Sequence, residues 1–254
     1  MLKFRVIPTL LHKEMGLVKG VRFDSWRRVG AAMQAVKVYN LRDVDELVFF
    51  DITATPNQRR PDFEQIEELT RECFMPMTVG GGVRTIDDIE CLLQAGADKV
   101  AINTAAVEQP SLLRKGADHF GRQCMVACLD AQQAGKGWEV VTHCGSKPTG
   151  HSVVECAQAM EAGGAGEIIL TSIDQDGTMD GYDLALIKAV SQAVQIPVVA
   201  SGGAGNYQHM VEAITESGAS AVAAASMFHF TEQTPKEAKL MLKSRGIPVR
   251  TMMA

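Results

Sequence analysis

Short apolar segments alternate with amphipathic segments along the whole chain. The apolar segments are apolar on both faces, which is typical of buried strands in a parallel sheet, and they lie at residues 4–10, 46–52, 76–80, 99–103, 124–130, 167–172, 197–201 and 221–225. Segments with helical periodicity separate them, for example at 63–73, 86–96, 153–163, 183–193 and 207–218. Eight such units in 254 residues predict a (β/α)8 barrel. A doubly wound sheet is the alternative, which the absence of GxGxxG at the first helix disfavours.

The second half of the chain repeats the first. Residues 76–106 and 197–228 both read proline, strand, Gly-Gly, helix, Gly-Ala, strand and a small polar residue. Glu46 and Glu167 begin two further matching strands, 121 residues apart. We therefore predict one domain, residues 1–254, built from two fused half-barrels of about 1–121 and 122–254.

Composition excludes several classes of protein. The chain is 46% hydrophobic and 22% charged with a net charge of −5, so no global basic field points to nucleic acid. The cluster of basic residues at 21–28 is interpreted as a solvated loop face. No apolar run is long enough to span a membrane, and the N-terminus begins in a strand pattern without a signal-type segment. We expect a cytoplasmic protein that binds neither nucleic acid nor membrane.

Cysteine spacing gives no sign of a disulfide framework or a metal site. The six cysteines form no CxxC pair and are expected to be reduced thiols. Cys124 and Cys128 share one face of a predicted strand but lie about 13 Å apart, which one metal ion cannot bridge. We expect neither a metal nor a redox cofactor.

Two Gly-Gly turns follow matching strands, at the end of a barrel where active sites lie. Gly81-Gly82 is paired with Asn103-Thr104, and Gly202-Gly203 is paired with Ala225-Ser226. Backbone amides exposed at glycine turns bind anions. The duplicated pattern predicts a long ligand with a phosphate at each end, although tight βα turns would also require glycine.

Aspartates at strand ends are the natural candidates for general acid or base. Asp130 ends the fifth predicted strand, and its counterpart in the first half-barrel is Leu11. A symmetric site with two acids would carry a carboxylate at both positions. Asp51, Asp174 and Asp176 also lie near the predicted mouth, where each could instead cap a helix or bind a ligand hydroxyl.

Four charged residues of alternating sign begin strands at the opposite, closed end of the predicted barrel. They are Arg5, Glu46, Lys99 and Glu167. Charge is normal at an exposed strand start. The functional alternative is that the four side chains pair across the barrel axis and gate a passage.

The sequence resembles the cyclase (HisF-type) subunit family of imidazole glycerol phosphate synthase over essentially the whole chain. The resemblance is carried by "ADKVAINTAAV", "TVGGGVRT", "GWEVVTHCGSKPTG", "GAGEIILTSIDQDGTMDGYD", "VVASGGAG" and "MFHF". It implies a barrel lyase that receives ammonia from a glutaminase subunit. The ammonia would enter at the closed end and react at the open end with a two-phosphate ribotide (PRFAR), giving imidazole glycerol phosphate and an aminoimidazole carboxamide ribotide.

The resemblance also assigns roles to individual residues. It implies that Arg5, Glu46, Lys99 and Glu167 form the ammonia gate and that Asp98 meets the glutaminase. Phosphate contacts fall on Gly82, Asn103, Thr104, Asp176, Gly177, Gly203 and Ser226. Lys19, Asp51 and Ser201 complete the predicted ligand set, and residues 13–20 are expected to form a mobile loop on the ligand side.

One position departs from the family. The family has catalytic aspartates at the ends of strands 1 and 5; the second matches Asp130, but the first falls on Leu11, in "PTLLHK" where the family reads "CLDVK". A general acid or base contributes typically ~10²–10⁴-fold to a rate. Cyclisation should be crippled unless His12 or Asp51 replaces the missing acid.

The missing acid leaves three hypotheses. In the first, the chain is a specialised paralogue that forms a heterodimer with a glutaminase and passes ammonia to a third enzyme, which amidates a nucleotide-linked sugar for surface polysaccharides. "VDELVFFDITATPNQRRPDFE" is more similar to such members than to the histidine-pathway enzymes. In the second, the chain is a functional PRFAR cyclase of histidine biosynthesis. In the third, it is a non-catalytic scaffold that activates a glutaminase.

Overall fold

The computed structural model describes residues 3–14 and 16–250. Its strands are β1 (Arg5–Lys13), β2 (Gly16–Val21), β3 (Asp24–Gly30), β4 (Leu47–Asp51), β5 (Met77–Gly80), β6 (Lys99–Ile102), β7 (Met125–Ala134), β8 (Gly137–Thr142), β9 (Lys147–Ser152), β10 (Glu167–Ser172), β11 (Val198–Ser201) and β12 (Ala221–Ala224). Its helices are α1 (Ala32–Asn40), α2 (Phe63–Glu72), α3 (Ile86–Gln94), α4 (Thr104–Glu108), α5 (Ser111–Phe120), α6 (Val153–Ala162), α7 (Leu184–Ala193), α8 (Tyr207–Thr215), α9 (Ser226–Phe230) and α10 (Pro235–Ser244).

Eight parallel strands close into a barrel. In order around the barrel they are β1, β4, β5, β6, β7, β10, β11 and β12, and β12 pairs with β1 to complete the circle. Each of the eight overlaps a segment that the hydrophobic pattern assigned to a strand. The predicted (β/α)8 fold is therefore confirmed.

Alternate residues of the barrel strands face two different apolar regions. On β1, Val6 and Leu10 join the large cluster between the strands and the surrounding helices, whereas Ile7 belongs to a separate, smaller cluster inside the barrel. That inner cluster comprises Ile7, Val48, Ala101, Val126, Cys128, Ile169, Val199, Ala221 and Ala223, with Phe50 against it. Burial on both faces explains why these strands read as continuous apolar runs.

Two β-hairpins extend the barrel in ways that the hydrophobic pattern did not predict. Strands β2 and β3 continue from β1, and β8 and β9 continue from β7, all antiparallel. The prediction of a loop at residues 13–20 is wrong, because residues 16–21 form β2. Met15 lies outside the described residues. Cys124 was also assigned to a strand, but it ends a short 3-10 turn before β7 begins at Met125.

Side-chain caps begin five of the helices in the described part of the chain. Asp62, Thr85, Asp183, Asn206 and Thr234 each accept a backbone amide hydrogen bond at the start of α2, α3, α7, α8 and α10. Such caps satisfy amides that have no partner within the helix. Within the described part of the chain, the longest helices have ten residues, and none is long and apolar enough to cross a bilayer.

Candidate functional site

A cavity of about 480 Å³ opens at the carboxyl ends of the barrel strands. It brings together all of the residues that were predicted to bind ligand or act as the acid pair, namely Leu11, Lys19, Asp51, Gly82, Asn103, Thr104, Asp130, Asp176, Gly177, Ser201, Gly203 and Ser226. Asp174 is the exception among the strand-end aspartates, since it does not line the cavity and its Oδ2 accepts a hydrogen bond from the Gln133 amide.

Asp130 is the carboxylate whose environment favours proton transfer. It lies on β7, and its Oδ2 accepts a hydrogen bond of 2.8 Å from Asn103 Nδ2. Burial raises the pKa of Asp130 to about 7, and the nearby charge of Asp176 adds to the increase. At neutral pH both protonation states are therefore populated, so this carboxyl group can either donate or accept a proton.

Leu11 lines the same cavity from β1. It is partly exposed there, and its strand neighbours are Phe50 on β4 and Val18 on β2. The leucine is thus part of the cavity wall rather than displaced from it by a shift in register. Its side chain offers no atom that donates or accepts a proton.

His12 is not positioned to supply the proton-transfer group that Leu11 lacks. Its ring is buried, stacks on Phe49 of the outer cluster and lies 3.2 Å from Gln65 of α2. Burial lowers the pKa of His12, which favours the neutral ring. The imidazole therefore lies in the helix-facing layer, on the other side of the sheet from the cavity.

Asp51 lines the cavity but has other partners. One oxygen accepts hydrogen bonds from the Thr53 amide and hydroxyl and from the Ala54 amide, and the other accepts from Arg59 at 2.8 Å. Although burial opposes ionisation, the bonds from Thr53 and Arg59 lower the pKa of Asp51. This carboxylate is held ionised and orders the loop after β4, so it is a poor proton donor.

Lys19 and Asp176 form a buried ion pair at the rim of the cavity. Lys19 Nζ lies 2.7 and 2.6 Å from the two carboxylate oxygens of Asp176. Lys19 comes from the β2–β3 hairpin and Asp176 from the loop after β10. The pair therefore ties the hairpin to the barrel at the edge of the predicted ligand site.

The Gly-Gly turns have a steric reason to be glycine. Gly82 has φ +76°, and a Cβ there would lie 2.6 Å from Arg59 O; Gly203 has φ +107°, and a Cβ there would lie 2.0 Å from Gly181 O. Close backbone packing alone thus requires both glycines. The amides of these turns border the cavity, and phosphate binding by them remains a prediction.

Sequence reasoning missed a second set of cavity residues. Most of them lie on the two hairpins or on loops between strand and helix: Phe23, Trp26, Thr55, Gln58, Arg84, His143 and Cys144. The interpretation of residues 21–28 as a solvated face is wrong for Phe23 and Trp26, which line the cavity, whereas Arg27 and Arg28 are exposed. Two aromatic side chains in a short polar segment were the available signal.

At the closed end, the four charged side chains form one network, called here the charge ring (Arg5, Glu46, Lys99 and Glu167). Arg5 donates to Glu46 at 2.6 Å and also to both oxygens of Glu167. Lys99 donates to Glu46 at 2.7 Å and to Glu167 at 2.8 Å. Since their strands lie on different sides of the barrel, the ring spans its interior.

The charge ring is mostly buried and electrostatically balanced. Burial opposes ionisation of Glu167, yet the hydrogen bond and charge of Arg5, together with those of Lys99, lower the pKa of Glu167. Burial likewise opposes ionisation of Arg5, yet its hydrogen bonds with Glu167 and Glu46 and the charges of those two carboxylates raise the pKa of Arg5. Thr78 adds a hydrogen bond of 2.9 Å to Glu46. All four groups are therefore held in the arrangement in which each cation contacts both anions.

Asp98 and two apolar side chains lie near the same end of the barrel. Asp98 is exposed, and its Oδ2 accepts a hydrogen bond of 2.8 Å from the Met77 amide at the start of β5. Leu41 follows α1 and Phe74 follows α2, and they are 86% and 84% exposed. Asn40 links the two loops through bonds to Glu72 O and the Phe74 amide.

The structure is a (β/α)8 barrel with ionisable and polar groups at the carboxyl ends of its strands, which is where the active sites of (β/α)8 enzymes lie. The family of histidine biosynthesis proteins matches residues 5–234, which is nearly the whole chain. The chain belongs to this family, whose members are barrel enzymes that include the cyclase and the isomerase of histidine biosynthesis.

Proposed function

We propose that the chain is the barrel subunit of a glutamine amidotransferase complex, and that it passes ammonia from a glutaminase through the charge ring towards the open end. The observation that carries this proposal is the ring itself, in which Arg5 and Lys99 each bridge Glu46 and Glu167 across the barrel. Buried ion pairs of this kind are costly to desolvate and seldom add net stability. A role in controlling passage gives a reason for their presence.

The interior above the ring supports passage of a small neutral molecule. The inner cluster between the ring and the cavity is lined by aliphatic and small side chains such as Val48, Ala101 and Ala223. Such a lining offers few hydrogen bonds that would retain ammonia, and it disfavours charged ammonium. The ring would then act as the point at which passage is opened or closed.

The open end is proposed to have weak or no cyclase activity. Leu11 occupies the cavity position at which the resemblance places a catalytic aspartate, and neither His12 nor Asp51 is arranged to replace it. Loss of one acid–base group corresponds to a rate loss of ~10²–10⁴-fold. Delivered ammonia would therefore go to another acceptor.

We further propose that the glutaminase binds at the closed end. Leu41 and Phe74 are almost fully exposed there, which is unusual for large apolar side chains, and the exposed Asp98 lies near the ring. A partner that covers these residues would place its ammonia source over the ring. The resulting heterodimer is the assembly that the family resemblance implies.

The proposed final acceptor rests on sequence resemblance alone. The segment from Val44 to Glu64 is more similar to paralogues that supply a third enzyme than to histidine-pathway cyclases. We propose that this third enzyme amidates a nucleotide-linked sugar used for surface polysaccharides. The proposal requires that ammonia leaves the open end without being consumed there.

A functional PRFAR cyclase remains the second candidate, and one observation favours it. Asp130 has a pKa of about 7 and shares the cavity with the complete set of predicted phosphate-contacting residues. The cavity could therefore still bind a two-phosphate ribotide and move one proton.

The first experiment separates these two candidates. Purified protein is given PRFAR and an ammonium salt, and the loss of substrate absorbance is followed. We expect a rate at least ~10²-fold below that of a homologue with two aspartates, and a gain in rate in a Leu11→Asp variant. Wild-type turnover within about tenfold of the homologue would refute the proposed loss of cyclase activity.

The second experiment tests ammonia passage against the scaffold hypothesis. Lys99→Met is combined with the partner glutaminase and acceptor enzyme, and glutamine hydrolysis and delivered nitrogen are both measured. We expect the amount of nitrogen delivered to the acceptor to change. The rate of glutamine hydrolysis should stay within about twofold of that with the wild-type barrel, because the ring lies in the barrel subunit and not in the glutaminase. Equal changes in both quantities would favour a scaffold that only activates the glutaminase.

A further inference from the structure

We propose that Lys239 on α10 is a positioning residue for the charge ring, because it holds Asp45 and thereby sets the placement of Arg5 and Glu46. The inference rests on the proposed role of the ring as a gate, and it identifies the contacts that hold the side chains of that gate in place. It assigns a function to a buried lysine outside the cavity and outside the ring.

Lys239 is among the most deeply buried side chains of the described chain. It is 1% exposed, and its Nζ lies 3.0 Å from Asp43 and 3.0 Å from Asp45. A buried ammonium is stable only when its partners remain in place. The side chain therefore fixes α10 to the loop between α1 and β4.

Asp45 connects this lysine to both members of one ion pair of the ring. One of its oxygens accepts from Lys239, and the other accepts a hydrogen bond of 3.0 Å from the Val6 amide. Val6 follows Arg5 in the chain, and Asp45 precedes Glu46. A single carboxylate thus holds the backbone beside the cation and the backbone beside the anion.

The segment after α10 holds the other side of Arg5. The Phe4 amide donates a hydrogen bond of 2.8 Å to Pro248 O, and Phe4 forms an isolated parallel bridge with Val249. The backbone amides on both sides of Arg5 are therefore anchored, one by the segment after α10 and one by the carboxylate that Lys239 holds. A shift of α10 would be transmitted to the start of β1.

The loop that carries Glu46 also requires support. Asp43 has a positive φ of 52°, which is an uncommon conformation for a residue other than glycine. Lys239 contacts this residue as well as Asp45. Without the ammonium, two neighbouring carboxylates would repel each other in a strained turn, and Glu46 would move with them. Hydrogen bonds weaken steeply with distance and angle, so a small displacement is enough to loosen the ring.

The test measures how accessible Lys99 is, because the Lys99 amine is freed when the ring loosens. Reductive methylation with formaldehyde and cyanoborohydride is followed by peptide mass spectrometry in the full chain. The variants are Lys239→Met and the milder Asp45→Asn, whose amide oxygen can still accept from the Val6 amide. Lys243→Met on the same helix is the matched control, since Lys243 is exposed and has no ion pair among the described residues.

Two other lysines are internal standards. Exposed Lys188 reports the reagent, and buried Lys19, which pairs with Asp176 at the open end, reports general loosening of the barrel. We expect methylation of Lys99 to accelerate about fivefold or more in Lys239→Met and about twofold or more in Asp45→Asn, as local opening exposes the amine. In the double variant Lys239→Met/Asp45→Asn, methylation of Lys99 should be no faster than in Lys239→Met alone, because both substitutions break the same link between Lys239 and Asp45.

Two results would overturn the proposal. One is a rate of Lys99 methylation within about 1.5-fold of wild type in a folded variant. If Lys239→Met does not fold, the rate in Asp45→Asn is the one that tests the proposal. The other is a rise at Lys19 as large as that at Lys99. The assay uses neither ammonia nor a partner, so failure of the positioning role is seen here, whereas failure of the gate role is seen as unchanged delivery in Lys99→Met.

Discussion

At the closed end of the barrel, each of the four charged side chains of the charge ring contacts two of opposite sign. At the open end, Asp130 contacts a neutral amide and shares its cavity with Leu11. The same scaffold therefore holds a ring of compensated charges and one carboxyl group, that of Asp130, whose hydrogen-bond partner is neutral, although Lys19 and Asp176 form an ion pair in the same cavity. It follows that ionisation should stabilise the charge ring, whereas ionisation of Asp130 should destabilise the folded protein, a contrast that single substitutions can measure.

The largest effect is expected from breaking the charge ring. Glu167→Gln leaves Arg5 and Lys99 facing a single carboxylate, and it should lower the free energy of unfolding by about 3 kcal/mol. Urea denaturation measures the change. Glu108→Gln is the control, because Glu108 forms an exposed pair with Lys147 and should cost less than about 0.5 kcal/mol. Equal losses in the two variants would show that the ring is not compensated as described.

A second charge at the open end should be the next largest perturbation. Leu11→Asp places a carboxyl group in the cavity that already contains Asp130, so ionisation of either group opposes that of the other. We expect Leu11→Asp to unfold with about 2 kcal/mol less free energy than the uncharged Leu11→Asn at pH 8.5, and the gap to narrow at pH 5.5. A gap that does not depend on pH would mean that the two carboxyl groups do not interact.

Removing the uncompensated charge should stabilise the protein. The pKa of Asp130 is higher in the folded protein than in the unfolded chain, so the folded state retains its proton and stability falls as the pH rises from about 4 to about 7. Asp130→Asn should therefore increase the free energy of unfolding, by about 2 kcal/mol more at pH 8.5 than at pH 5.5. A decrease at pH 8.5 would contradict the sign of the effect.

The smallest expected effect concerns the contact between the two hairpins over the cavity. Gly145 has φ +83°, and a Cβ there would lie 2.8 Å from Phe23 Cδ2, whereas Gly150 has φ +70° with open space around it. Both alanine variants incur backbone strain, but Gly145→Ala also displaces Phe23. It should be less stable than Gly150→Ala by about 0.5 kcal/mol, with easier acrylamide quenching of tryptophan. Identical stability and quenching would mean that the hairpins do not support each other.

The sequence predicted the barrel because its strands are buried on both faces. Segments such as 46–52 and 167–172 are continuously apolar, and only a parallel sheet covered by helices buries both faces. The closed-end pairing was also predictable, since residues at equivalent starts of parallel strands must meet at one end. The hairpins were not, because β3 and β9 are mostly exposed and alternate weakly, and Phe23 and Trp26 reach the cavity only through that tertiary arrangement.

The predicted ligand positions line the cavity because most of them follow the carboxyl end of a barrel strand. Other lining residues, such as Phe23 and Trp26, were not predicted, and neither was the orientation of the side chains. Alternation along β1 puts His12 on the opposite face from its neighbour Leu11, but the polar ring gave no indication that it packs on Phe49 in the outer layer. The state of Asp51 depended on Arg59, which lies in a loop whose path the pattern does not specify.

If the charge ring opens as proposed, its balance of two cations and two anions restricts how it does so. If Lys99 alone swings away, two carboxylates remain with one guanidinium, and the barrel interior carries a net negative charge in a medium of low dielectric. Separating opposite charges there costs several kcal/mol. An opening of low energy must therefore move a cation and an anion together, so that the remaining pair stays neutral. Arg5 and Glu46 are such a pair, because Asp45 already links the backbone beside each of them.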